Sequence, residues 1–155
     1  MASRRDQIRM TEDELRAFLE GQRIVQVATV GPKGRPHVVP LWYFVEGDEL
    51  GSWTYAASQK ARNLERDPRA TLSIDDGVQY RELRGAMMEC DVAIDRDPDR
   101  VAEWGFELFK RYGPGGELAQ EVREMVLKQA RKRVGLRFTP TRTVTWDHRK
   151  LKGAY

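Results

Sequence analysis

Cysteine is almost missing: Cys90 is the only one in 155 residues. That excludes an internal disulfide and any thiolate metal cluster within one chain. Histidine is nearly as scarce, with only His37 and His148, so no histidine-rich metal centre is expected. No apolar run approaches the ~20 residues that a membrane-crossing helix needs. The opening MASRRDQIRM lacks the apolar core of a signal peptide, so the chain reads as cytoplasmic. Neither sign of charge dominates, because 27 Lys+Arg face 24 Asp+Glu for a net +3. The basic residues form no long stripe, which argues against nucleic acid and suits a small anionic ligand. There is no P-loop, dinucleotide fingerprint, nucleophile elbow or zinc-protease motif. No catalytic side chain and no metal site is assigned, so any chemistry must be carried by a bound cofactor.

What the sequence does have is a clear order of elements in a single domain, 1–155. Residues 1–10 are polar and read as a flexible N-terminus. In MTEDELRAFLEG, Thr11 and Glu14 form a capping box, with Leu15, Phe18 and Leu19 on one face. Strands are expected at 23–30, 36–45 and 50–55, joined by the turns GPKG and EGDE. A short helix follows from Gln59 to Arg66, then a strand at 70–75 with Ala70, Leu72 and Ile74 facing inward. A long strand from about Tyr80 to Ile94 turns Ala86, Met88, Cys90, Val92 and Ile94 to one side. The period then changes: Asp97-Pro98 starts a helix carrying Val101, Trp104, Leu108, Phe109 and Tyr112, broken by Gly113-Pro114-Gly115-Gly116. A second helix marked by Leu118, Val122, Met125 and Val126 and ending in the basic run KQARKR completes a helical insert at 97–131. Strands at 134–138 and 142–146 close the chain, separated by Thr139-Pro140-Thr141. Seven strands in meander order with late helices imply a mainly β protein, an antiparallel barrel with peripheral helices.

Three stretches can carry function. The first is SQKARNLERDPRATL, which gathers Lys60, Arg62, Arg66 and Arg69 around a helix with only Ala61 and Leu64 as apolar anchors. Ser58 caps that helix, and its unpaired first-turn N–H groups make an anion site beside Lys60. A solvated basic surface helix explains the same spacing about as well. The second is Pro40, midway along a strand whose ladder it cannot join; it marks either an edge strand or backbone presented to a ligand. The third is the aromatic group Trp42, Tyr43, Trp53 and Tyr55, which suits half-buried barrel packing or the stacking of a flat heterocycle. Trp104, Phe106, Phe109 and Tyr112 read as core or dimer contact. His37 is a general-acid candidate or a structural strand histidine, and Cys90 reads as a buried, inert thiol.

VQVATVGPKGRPHVVPLWY, then SQKARNLERDPRATLSID, and the closing TWDHRKLKGAY resemble the split-barrel flavin- and deazaflavin-binding superfamily typified by pyridoxamine 5′-phosphate oxidase. Within it the sequence looks most like the deazaflavin branch that uses coenzyme F-420. The resemblance implies an FMN-binding split barrel, homodimeric, with cofactor sites at the dimer interface. It places Lys60 on the cofactor phosphate, with Ser58, Arg62 and Asn63 as phosphate or tail contacts. Val39, Pro40, Leu41 and Trp42 would line the ring system, and Trp53 and Thr54 the phosphate side. Tyr80 and Trp146 would close the pocket from the partner subunit. The implied activity is hydride transfer from reduced F-420 to an unsaturated small molecule. An FMN-dependent oxidoreductase of the same fold and a non-catalytic cofactor or haem binder are the alternatives. Arg62, Arg66 and Arg69 are expected to attend the anionic tail that distinguishes F-420 from FMN.

Overall fold

The computed structural model describes residues 3–152. Met1 and Ala2 of the expected flexible N-terminus, and the final Gly153-Ala154-Tyr155 of the closing segment, lie outside the described residues. The rest of that N-terminus is tied down. A short helix α1 (Arg4–Gln7) leads to Met10, which is buried with its N–H on Thr145 Oγ1 at 2.9 Å. Ile8 carbonyl also accepts from the Asp147 N–H.

Helix α2 (Glu12–Gly21) starts at the expected capping box, with Thr11 and Glu14 bonded reciprocally, and it buries Phe18 and Leu19. Seven strands form one antiparallel sheet: β1 (Val25–Val30), β2 (Pro36–Leu41), β3 (Phe44–Glu46), β4 (Glu49–Tyr55), β5 (Arg69–Asp76), β6 (Arg84–Asp95) and β7 (Arg133–Asp147). Helix α3 (Gln59–Arg66) lies between β4 and β5, while α4 (Pro98–Tyr112) and α5 (Gln120–Ala130) lie between β6 and β7.

The spatial order β2-β1-β5-β6-β7-β4-β3 is not a meander. The expected strand at 36–45 breaks at Trp42-Tyr43, and its halves become the two opposite edges of the sheet. Laid flat, six strand spacings would separate those edges by about 29 Å. The link from Leu41 to Phe44 spans at most about 11 Å. The sheet must therefore curl until its edges nearly meet, and the result is a split barrel. The expected break at Thr139-Pro140-Thr141 does not occur either. Glu89 pairs with Arg142 and Cys90 with Pro140, so Thr141 bulges out and β7 continues through the proline. One strand divided and two fused leave the count at seven. The long strand also starts later than expected, because Tyr80–Glu82 is a 3-10 turn.

Two apolar clusters result. Val25, Val27, Leu72, Ile74, Met88, Leu136 and Phe138 fill the barrel, closed by Phe18 and Leu19 of α2 and by Ala61 and Leu64 of α3. A second cluster joins Val101, Trp104 and Leu108 of α4 and Val126 of α5 to Phe44 and Trp53 on the outer side of the sheet. Met125 of α5 is exposed. Among the described residues no helix is long and apolar enough to cross a membrane.

Candidate functional site

The site is built where β4 leaves the sheet. Thr54 is buried and turns its hydroxyl toward α3, whose N-cap Ser58 accepts from the Ala61 N–H at 3.3 Å. Lys60, in the first turn, donates to Thr54 Oγ1 at 2.8 Å, and the Thr54 and Ser58 hydroxyls stand 3.4 Å apart. No carboxylate pairs with Lys60 among the described residues. Its ammonium pKa lies below the usual 10.5, first because burial disfavours the charge and then because Arg133 repels it. A cation held at the positive end of a helix, among hydroxyl and N–H donors, wants an anion. Donors without a competing carboxylate are the chemistry that a phosphate group requires, so these residues fit a phosphorylated cofactor.

The rest of the basic collar is used differently. Asn63 is fully buried: its Nδ2 donates to Thr29 Oγ1 at 3.0 Å, and its Oδ1 accepts from Gln59 at 2.8 Å. Arg66 donates to that same oxygen and to the Val30 carbonyl, which clips α3 to β1. Arg69 forks onto Asp67 at 2.9 and 2.7 Å, and these bonds hold the Asp67 carboxyl at about 2. Arg66 and Arg69 thus each already meet an acceptor within the protein. Arg62 stays exposed and unpaired among the described residues.

Beside the site, β2 pairs only with β1, so its outer edge carries backbone groups with no strand partner. Val39 and Leu41 are half-buried there, and Pro40 is exposed on that edge strand. His37, opposite Thr29 near the start of β2, has its Nδ1 buried without a hydrogen-bond partner. Trp42 follows, with one ring face stacked on Tyr112 of α4 at 4.5 Å and 7°. Trp53 is buried edge-on to Phe109. Trp42 and Trp53 thus pack against the helical insert, while the free face of Trp42 and the exposed Tyr55 remain open to a ligand.

Tyr80 and Trp146 do not join this constellation within one chain. Tyr80 lies against His148 at 4.6 Å, and Trp146 lies over Gly85, where an added Cβ would come within 2.3 Å of its ring. Both sit at the Asp147 end of β7, whereas the Lys60 site adjoins the Arg133 end. Cys90 is buried, and its thiol is pushed up to about 12, chiefly by desolvation, so it is inert. Among the described residues no three His, Cys, Asp or Glu side chains gather as metal ligands.

The sequence reading missed Arg133. It pairs across the ladder with Tyr55, and its guanidinium lies 4.0 Å from the Tyr55 ring and 4.5 Å from Trp53. The KQARKR run marked it only as part of a basic helix end. Its first place in a strand beside two β4 aromatics depends on the β4–β7 pairing.

The family model for pyridoxamine 5′-phosphate oxidase matches residues 11–147. The chain belongs to the pyridoxamine 5′-phosphate oxidase family. Among its relatives is an F-420H(2)-dependent biliverdin reductase of Mycobacterium tuberculosis, 29% identical over 67% of this chain and 73% of that protein. A conserved hypothetical protein of Mycobacterium tuberculosis superposes with a TM-score of 0.89 at 38% identity, covering 97% of this chain and 93% of that one. A solved F-420 reductase matches with a TM-score of 0.64 at 26% identity, over 82% of this chain and 93% of its own. The two solved structures share the fold of this chain.

Proposed function

We propose that this protein is a homodimeric oxidoreductase that binds coenzyme F-420 at the β4–α3 junction and reduces an unsaturated small molecule. The observation that carries the reading is Lys60 at the start of α3, half-buried, bonded to Thr54 and lacking a carboxylate. The choice of a deazaflavin is supported by the relatives named for F-420. Reduced F-420, when bound, would supply the hydride.

The chain's own part is to bind and orient. Lys60, Ser58 and the first-turn N–H groups of α3 would hold the phosphate, with Thr54 keeping the ammonium aimed. The open edge at Val39 to Leu41 and the free face of Trp42 would position the ring and exclude water on one side. Tyr80 and Trp146 could reach that ring only from a second copy, because they occupy the opposite end of β7. The exposed apolar groups Val38, Trp42 and Tyr55 favour such a pairing.

One observation favours FMN as the second reading. With Arg66 and Arg69 held by protein acceptors, two of the three arginines expected to meet an anionic tail are occupied. The test is calorimetric titration of the full chain with F-420 and with FMN at two salt concentrations. Tighter F-420 binding that weakens with salt supports the deazaflavin assignment. Preference for FMN moves the protein to the flavin reading, and binding of neither ends both.

A further inference from the structure

We propose that Arg133 is a second anion-binding residue of this site, its guanidinium receiving an oxyanion of the same ligand that Lys60 holds at the start of α3. The proposal rests on the cofactor reading above. Arg66, Arg69, Arg84 and Arg149 each meet a carbonyl or a carboxylate. Arg133 meets neither. Its Nε is buried with no hydrogen-bond partner, and no acid pairs with it among the described residues.

A guanidinium is always charged and carries five donors, so burying one of them without an acceptor is unfavourable unless something else completes it. The Tyr55 and Trp53 rings stabilise its charge through their faces but offer no acceptor. They also hold the planar fork in one orientation, which removes much of the entropy lost on binding a phosphate or carboxylate.

Location supplies the second, independent argument. Thr54 faces Lys60, and strand alternation turns its neighbours Trp53 and Tyr55 to the other face, where Arg133 stacks. Two cations thus stand at the end of β4, Lys60 on Thr54 and Arg133 over the next residue, Tyr55. Mutual repulsion with no acid between them is unfavourable until an anion arrives. Tyr55 is 48% exposed, so a ligand can reach this rim from solvent. The oxyanion is either the phosphate that FMN and F-420 share or a carboxylate beyond the phosphate in the F-420 tail. Arg66 and Arg69 already meet protein acceptors, whereas Arg133 lies over two rings with a buried Nε that has none.

The experiment is calorimetric binding of riboflavin, FMN and F-420 to the wild-type chain and to Arg133→Gln and Arg133→Lys, each checked for folding by thermal melting. The expected result is a loss of about tenfold or more for FMN, F-420 or both in Arg133→Gln, with riboflavin unchanged and partial recovery in Arg133→Lys. Loss for both phosphorylated ligands assigns the phosphate, and loss for F-420 alone assigns the tail. An equal loss for riboflavin, or no loss for any ligand, overturns the proposal. Should the glutamine variant fail to fold, the lysine variant carries the comparison, since it keeps the charge and removes the fork. If the wild type binds none of the three, the cofactor reading fails and a second readout decides Arg133. Inorganic phosphate is then titrated against the Arg133 Nε–H resonance. A saturable shift that disappears in Lys60→Ala retains the anion role, and an unmoved resonance ends it.

Discussion

Lys60 is a charge held where water reaches it poorly. Burial lowers its pKa from 10.5, so between the folded value and 10.5 the unfolded chain binds more protons than the folded one. Stability therefore rises with pH across that alkaline window, and at neutral pH the charge works against folding. Lys60→Met should leave the melting temperature of the ligand-free protein unchanged or a few degrees higher, and flatten its alkaline slope. The same change should weaken phosphorylated cofactors about tenfold or more; a fall in melting temperature with affinity unchanged would reverse the assignment. Asp147 behaves oppositely. It is buried, and Arg149 holds its carboxyl below the usual 3.8 through bonds of 2.8 and 2.6 Å. Its contribution is complete above pH 3.8 and is lost as pH falls through the lower folded value. Asp147→Asn should cost about 1–2 kcal/mol at neutral pH and shrink the acid limb of the stability profile, read by urea titration across pH.

Among the elements, the docking of α4 decides how open the site is. Tyr112 reaches back to the barrel: its hydroxyl accepts from the Tyr43 N–H at 2.9 Å and has one proton to give, to the Arg23 carbonyl at 2.7 Å or the Tyr43 carbonyl at 2.9 Å. Tyr43, wholly buried, donates its own hydroxyl to the Leu19 carbonyl, and burial pushes its phenol up to about 12. Tyr112→Phe should cost about 1–3 kcal/mol in denaturant unfolding, because it removes the side-chain acceptor of the N–H of Tyr43, a buried residue. Gly105 sets how closely α4 approaches: an added Cβ would lie 2.6 Å from Trp53 and 2.7 Å from Val126. Alanine is the better helix former by up to about 1 kcal/mol, but overpacking typically costs about 1–3 kcal/mol. Gly105→Ala is therefore expected to destabilise, and by moving Trp53 to disturb Arg133 as well. A more stable variant would show that α4 docks loosely. Helix boundaries were legible in advance because caps are local: Thr11, Ser58 and Asp97 each stand where a helix begins. The split at Trp42-Tyr43 and the continuity of β7 through Pro140 were not, because a strand's limits depend on which neighbour its edge meets.

For the whole molecule, the expected state is a dimer. Sedimentation equilibrium should give twice the 17.9 kDa chain mass; a monomer would remove Tyr80 and Trp146 from the site, since β7 separates them from Lys60. By itself the sequence determined the starts of α2, α3 and α4 and the alternation that buries Leu72, Ile74, Ala86 and Met88. Those features arise from residues a few positions apart, where periodicity and capping act. Tertiary structure alone decided that Arg66 and Arg69 serve the scaffold, that Asn63 is a buried link, and that the insert's aromatics cover Trp42 and Trp53. It also decided that Arg133 stands across from Tyr55. An arginine pairs with whatever acceptor the fold brings within hydrogen-bond reach, and a chain read in order cannot show which one that is until the sheet closes.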